Sequence, residues 1–209
     1  MRIFIADDHS VVRRGLHQII AGVPTWCVAA EAERADDVLP ALRGGSFDLV
    51  ILDISFGGRS GIDLLGHIRA EFPALPVLML SMHDEEQYAV RCIQAGASGY
   101  LQKDSAPEEI IGAIERVASG RRYVSPAVAG AIAAKLVRGD DMQPHERLSD
   151  REFEVFRHIA EGASPSEIGV MLHLSAKTVS TYRSRILQKT GLRSNADIVA
   201  YALRNRLFE

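Results

Sequence analysis

Alternation between short continuous apolar runs and segments of helical period constrains residues 1–120 more than any other feature of this chain. Ile3-Phe4-Ile5-Ala6 gives way to Val11, Val12, Leu16, Ile19 and Ile20 at helical spacing, closed by Gly22. A weaker run at Cys27–Ala30 precedes a helix signal near 35–42 that ends on Gly44-Gly45. Residues 48–53 lead through Gly57-Gly58 to Ile62, Leu65 and Ile68. Val77–Leu80 leads to a helix near 85–94 ended by Gly96. Tyr100–Gln102 leads through Pro107, a first-turn proline, to Ile110, Ile111, Ile114 and Val117. Runs without polar alternation indicate strands covered on both faces. A repeated βα unit then requires parallel strands with right-handed crossovers, hence a three-layer α/β/α domain over residues 1–120.

Four of these runs end in a polar or charged residue: Asp7-Asp8, Asp53, Ser81 and Lys103. Open parallel sheets bind ligands beyond the carboxyl ends of their strands, so these side chains are expected to converge on one edge. Three acids, a hydroxyl and a lysine suit a divalent cation and a phosphoryl group. Asp53 is the expected nucleophile, because a carboxylate attacking phosphorus gives an acyl phosphate. Mg²⁺ takes oxygen ligands, so Asp8 and Asp53 are expected to bind it directly, with Asp7 acting through water and a backbone carbonyl after Asp53 helping. Lys103 would offset phosphoryl charge and the Ser81 hydroxyl would donate to it. Taken singly, each of these residues except Asp53 is an ordinary strand end or helix cap. Only the set carries the reading.

Beyond residue 120 the signals change. Ser125-Pro126 opens an alanine-rich helix to about residue 137, within a linker spanning 121–147, and 138–146 reads as flexible tether. Residues 148–209 carry helix signals alone, so an all-α domain is expected there. Ser149-x-x-Glu152 and Ser164-x-x-Glu167 match the capping box, and further helices begin after Ser175 and near Asn195. On the helix after Ser175, Val179, Ile186 and Thr190 share one side, flanked by Tyr182 and Arg183. Lys177, Ser180, Thr181, Ser184 and Gln188 fall opposite, with Arg185 and Lys189 beside them in reach of phosphates. Thr178 completes this candidate DNA-contacting set.

The charge distribution agrees with two different partners. Residues 1–120 hold ten basic and seventeen acidic residues, whereas 146–209 hold ten basic and eight acidic. The front half therefore repels polyanions and the back half tolerates them. The longest apolar stretch, near 127–137, contains Lys135 and is too short to span a bilayer. Acids at residues 7 and 8 interrupt the N-terminus too early for a secretion signal. No membrane association and a cytoplasmic location are therefore expected. Cys27 and Cys92 have no paired spacing and read as buried thiols in a reducing compartment.

Asp7-Asp8, Asp53, Ser81, Tyr100 and Lys103, with Gly96-Ala97-Ser98-Gly99-Tyr100-Leu101, resemble the set of bacterial receiver domains of the NarL/FixJ branch. The resemblance implies a flavodoxin-like sheet of order 2-1-3-4-5, in which the ligand crevice lies between the first and third strands. It implies phosphorylation of Asp53 by a sensor histidine kinase, Mg²⁺ with the Ser55 carbonyl among its ligands, and a switch formed by Ser81 and Tyr100. Ser55 and His83 occupy positions that, by resemblance, tune phosphate loss. One departure is Phe56-Gly57-Gly58, where relatives usually carry Met-Pro-Gly; glycine in place of proline loosens this loop.

Residues 148–209 resemble the LuxR-type helix-turn-helix. The match runs from Leu148-Ser149-x-Arg151-Glu152-x-Glu154-Val155 through Ile159-Ala160-x-Gly162, then Glu167-Ile168, Leu172-x-Leu174-Ser175 and Thr178-Val179. It implies promoter DNA as partner, Ser180, Thr181 and Ser184 at base-reading positions, and a homodimer on DNA paired through the helix 195–206. Short uncharged readers imply modest direct readout and a larger share from backbone contacts and DNA shape. Phe153 and Phe156 are expected in the core. The sequence leaves two other readings open. One is a phosphorylation-independent regulator whose receiver serves dimerisation or another ligand; the other is an aspartate-nucleophile phosphatase, although Ser10 stands where its second acid would fall.

Overall fold

A computed structural model describes residues 1–56, 59–82, 86–138 and 143–208. The chain divides into two compact units, Met1–Ile132 and Ala133–Glu209. In the first, strands β1 (Arg2–Ala6), β2 (Cys27–Ala32), β3 (Leu49–Asp53), β4 (Val77–Ser81) and β5 (Gly99–Gln102) form one sheet. Helices α1 (Ser10–Ala21), α2 (Ala35–Gly44), α3 (Gly61–Glu71), α4 (Glu86–Gln94) and α5 (Pro107–Ala118) connect and follow them. All neighbouring strands are parallel and their order is β2-β1-β3-β4-β5, as the resemblance implies. The register sets Ile5 beside Ile51, Ile51 beside Leu78, and Leu80 beside Leu101.

The three inner strands are buried throughout from Ile3 to Ala6, Leu49 to Asp53 and Val77 to Ser81, which explains why they read as unbroken apolar runs. The chain runs from β1 out to β2 and then back across to β3. Right-handed crossovers therefore place α1 on one face and α2, α3 and α4 on the other. Leu16 and Ile20 of α1 meet Ile110, Ala113, Ile114 and Val117 of α5 over Ile5, Ile51 and Leu80. The topological reversal falls between β1 and β3, so the ends of those strands flank a crevice.

Three sequence expectations change. Cys27 is exposed rather than buried, because it opens β2, the strand at one edge of the sheet; Cys92 is buried as expected. Residues at the start of the expected linker are held by the sheet: Tyr123 bridges Gly99, donates to the Ser98 carbonyl and accepts from the Tyr100 amide. Within the segment read as tether, Pro144–Arg147 forms a 3₁₀ turn with Gln143 and Glu146 in a capping box and His145 buried. Positions 139–142 lie outside the described residues.

Helix α6 (Pro126–Arg138) is followed in the second unit by α7 (Asp150–Ala160), α8 (Pro165–Met171), α9 (Ala176–Thr190) and α10 (Asn195–Arg204). Both expected capping boxes form, at Ser149/Glu152 and Ser164/Glu167. Phe153 and Phe156 are fully buried and, with Phe208, form an aromatic core that Tyr201 and His145 extend. Ile168, Val179, Ile186 and Ile198 complete this interior.

Candidate functional site

The carboxyl ends of β1 and β3 deliver their acids to a single point. Asp7 and Asp53 are 1% and 2% exposed, and the Lys103 ammonium lies 2.8 Å from Asp7 Oδ2 and 2.7 Å from Asp53 Oδ2. Lys103 stands just beyond β5 because its amide donates to the Ser81 carbonyl at 2.7 Å, extending the β4–β5 ladder. Oδ2 of each acid is buried, and the ammonium bridges the two. Asp8 is more exposed and its Oδ1 lies 2.8 Å from His9 Nδ1. Ser55 donates its amide to Asp53 Oδ1 at 3.1 Å. Ser81 and Tyr100 are buried at the ends of β4 and β5, at 2% and 8% exposure.

Among the described residues Asp7, Asp8 and Asp53 gather at this edge and the Lys103 ammonium pairs with two of them, a net negative balance that fits a dication. Burial, and then the Asp7 charge, outweigh Lys103 and the Ser55 amide and raise the Asp53 carboxyl from 3.8 to about 6. A carboxyl that binds its proton more tightly when folded favours the fold most below its unfolded value, and that contribution disappears as pH rises through about 6. Measured by urea unfolding with EDTA, Asp53→Asn should gain on the order of 3 kcal/mol over the parent between pH 4 and pH 7. A constant difference over that range would contradict the burial-raised carboxyl.

Three residues at this edge escaped sequence reasoning. Gly61 opens α3 against the backbone of the acid it follows: its amide donates to the Ile54 carbonyl at 2.6 Å, and a Cβ there would lie 2.0 Å from the Asp53 carbonyl oxygen. Arg13 of α1 is buried, donates to the Asp7 carbonyl at 2.9 Å and pairs with Glu31 and Glu33. His9 joins the acids, Nδ1 lying 3.2 Å from Asp7 Oδ1 and 3.8 Å from Asp53 Oδ2. The Asp-Asp-His string was visible; the turn that folds residue 9 back over Asp7 was not. Ahead of the Gly57-Gly58 pair, Phe56 is fully buried, and Ser55–Phe56 pair antiparallel with Arg59–Ser60. Gly57, Gly58 and His83 lie outside the described residues.

The second unit builds a different surface. Helices α8 and α9 are joined by a turn in which Leu174 donates to the Gly169 carbonyl at 2.8 Å, and a Cβ on Gly169 would lie 2.7 Å from the Leu174 carbonyl oxygen. Arg151 of α7 reaches the Leu172 carbonyl at 2.7 Å and so braces the turn. Ser175 caps α9 by accepting from the Thr178 amide, and Gly191 ends it in the left-handed region. Val179 and Ile186 are buried, whereas Lys177, Ser180, Thr181, Ser184, Arg185 and Gln188 are exposed. Thr178 and Tyr182 are half-buried, with the Thr178 hydroxyl 2.8 Å from that of Ser175. The hydroxyls of Ser180, Thr181 and Ser184 donate to the carbonyls one turn back, at 2.9, 3.1 and 3.1 Å.

Lys189 behaves differently from its neighbours. Its ammonium lies 2.7 Å from Glu152 Oε2, tying α9 to α7. Burial pushes the Glu152 carboxyl up, but Lys189 and the Ser149 donors outweigh it and hold that carboxyl below its ordinary range. Lys189 thus braces the scaffold through an ion pair while remaining 43% exposed. Lys189→Ala should lower stability by roughly 1 kcal/mol while reducing DNA affinity less than Arg185→Ala. Unfolding curves and DNA titrations of the two variants check both halves.

A parallel five-stranded sheet with an acid-and-lysine edge, followed by a capped helix-turn-helix, defines a DNA-binding response regulator. Residues 3–115 match the response regulator receiver domain and residues 146–202 the bacterial regulatory proteins of the luxR family. The chain belongs to this family of two-component transcription regulators, and like its relatives it is a DNA-binding transcriptional response regulator. It is 33% identical to the oxygen regulatory protein NreC of Staphylococcus carnosus over the whole of both chains. It is 31% identical to the response regulator UvrY of Escherichia coli K12, over 99% of this chain and 95% of the relative. Among solved structures, RcsB from Salmonella enterica serovar Typhimurium, bound to promoter rprA with the phosphomimetic BeF₃⁻, is 26% identical. That likeness covers 96% of this chain and 98% of RcsB, with a TM-score of 0.64.

Proposed function

We propose that Asp53 accepts a phosphoryl group from the phosphohistidine of a sensor histidine kinase in the cytoplasm, and that this sets the affinity of α8 and α9 for promoter DNA. The observation behind this reading is the Lys103 ammonium shared between Asp7 and Asp53 at the β1–β3 switch point. Asp53 is largely ionised at neutral pH, with its carboxyl at about 6. A lone pair on a carboxylate oxygen attacks phosphorus and forms the acyl phosphate. The P–N bond breaks, and the imidazole leaves with that electron pair and takes up a proton. The chain's own chemistry ends with this transfer and the slow loss of the group, so it is not a turnover enzyme.

The donor set fits Mg²⁺: Asp8 and Asp53 as direct ligands, the Ser55 carbonyl beside them, and Asp7 through water. When bound, the cation neutralises charge on the transferring oxygens. Lys103 would move from its two carboxylates onto the phosphoryl group and Ser81 would donate to it, with Tyr100 following Ser81. At the other unit, Lys177 and Arg185 reach phosphates while Thr178, Ser180, Thr181, Tyr182, Ser184 and Gln188 line the groove side. Because the Ser180, Thr181 and Ser184 hydroxyls spend their protons on their own helix, they offer lone pairs, and Thr181 a methyl group, to base edges. This supports modest direct readout. A homodimer on DNA would pair through α10, where Leu203 is 63% exposed.

Acetyl phosphate with Mg²⁺, followed by borohydride reduction and peptide mapping, tests the acceptor. The reduced acyl phosphate is expected at Asp53, and labelling that maps elsewhere or survives Asp53→Asn overturns the assignment.

A further inference from the structure

We propose that His9 is a nitrogen ligand of the cation site, giving it a preference for first-row transition dications over Mg²⁺; this rests on the reading of Asp8 and Asp53 as cation ligands. The ring is delivered by local geometry. The His9 amide donates to Asp7 Oδ1 at 2.8 Å, which folds residue 9 back over the acid before α1 begins. Nδ1 then lies 2.8 Å from Asp8 Oδ1, 3.2 Å from Asp7 Oδ1 and 3.8 Å from Asp53 Oδ2. One ligand atom from each of Asp7, Asp8, His9 and Asp53 falls within 4.8 Å of the others.

Those separations match a shared ion. Ligands about 2.1 Å from an octahedral centre stand about 3 Å apart when adjacent and about 4.2 Å apart when opposite. Imidazole suits manganese, cobalt, nickel and zinc, whereas Mg²⁺ favours oxygen and keeps its waters. Nδ1 also stands 3.5 Å from the Lys103 ammonium, so a cation gathering His9 and the acids displaces that lysine from them. The same movement frees Lys103 for the phosphoryl group. A simple hydrogen bond from the ring to Asp8 would give the same unloaded geometry but no metal preference.

Mn²⁺ is the probe, because pulsed EPR detects a coordinated ¹⁴N directly. Mn²⁺ and Mg²⁺ affinities are measured by calorimetry on the full chain, for the parent, His9→Ala and His9→Gln. Circular dichroism verifies that each variant folds. The expected result is ¹⁴N modulation in the parent, lost in both variants, with Mn²⁺ affinity down about tenfold or more and Mg²⁺ affinity within about twofold. Mg²⁺ binding without ¹⁴N modulation, or an unchanged Mn²⁺-to-Mg²⁺ ratio, overturns the role of His9 and leaves the oxygen site standing. Modulation that survives in both variants assigns the nitrogen to another residue and also overturns it. Binding of neither metal overturns this inference together with the cation site.

Discussion

Asp53→Asn should abolish acyl phosphate formation completely and leave DNA affinity unresponsive to acetyl phosphate or beryllofluoride. The amide keeps the shape and an oxygen to accept from the Ser55 amide, but it cannot act as the nucleophile. Removal of a buried charge raised to about 6 by its surroundings also means that the variant folds at least as well at neutral pH. Loss of response in a well-folded variant therefore reports chemistry and not collapse. On the proposed function the phosphoryl group acts by population shift, only as far as it stabilises one receiver state over another. Sedimentation and DNA titration with and without beryllofluoride should move together in the parent and stay fixed in Asp53→Asn.

Gly61→Ala should be the most damaging conservative change in the receiver. A Cβ at this position would approach the Asp53 carbonyl oxygen to 2.0 Å and the Ile54 Cα and carbonyl oxygen to 2.9 Å each. All three are backbone atoms of the segment that presents Asp53, so relief requires moving α3 away from β3. Overpacking of a tight interior costs about 1–3 kcal/mol and occasionally more; a clash with fixed backbone belongs at the upper end. Thermal unfolding should show a receiver destabilised by about 3 kcal/mol, and the residual folded protein should phosphorylate more slowly. Gly66→Ala, on the same helix where a Cβ meets nothing within 4 Å, serves as the control. Equal effects at the two positions would contradict the close approach.

The sheet order and the place of Asp53 at its edge were legible because both are written in local pattern. Ile3–Ala6, Leu49–Leu52 and Val77–Leu80 are continuous apolar runs since both faces of these strands are covered. Asp53 could be singled out since it terminates the middle one. Cys27 was misjudged because an edge strand carries the same residues as an inner one, and burial there depends on a neighbour the pattern does not reveal. His9, Gly61 and Arg13 were missed for a related reason. Each matters through a contact with backbone or with a residue on another element, and spacing along the chain is silent about such contacts. Lys189 shows a related limit: a helical wheel places it beside a DNA face and is silent about its ion pair with Glu152 on α7. The tether over 138–146 shortened because Gln143 and Glu146 close a capping box that composition rich in Gly, Asp and Pro conceals.

Control of the helix-turn-helix by the acidic edge is tested most directly by one affinity ratio. Duplexes selected from a random pool by the full chain in beryllofluoride and Mg²⁺ are titrated with that chain, with and without beryllofluoride, at one fixed salt concentration. Binding should be tighter by about tenfold with beryllofluoride, within the usual range of coupling between sites. Equal affinity in the two conditions would contradict that control.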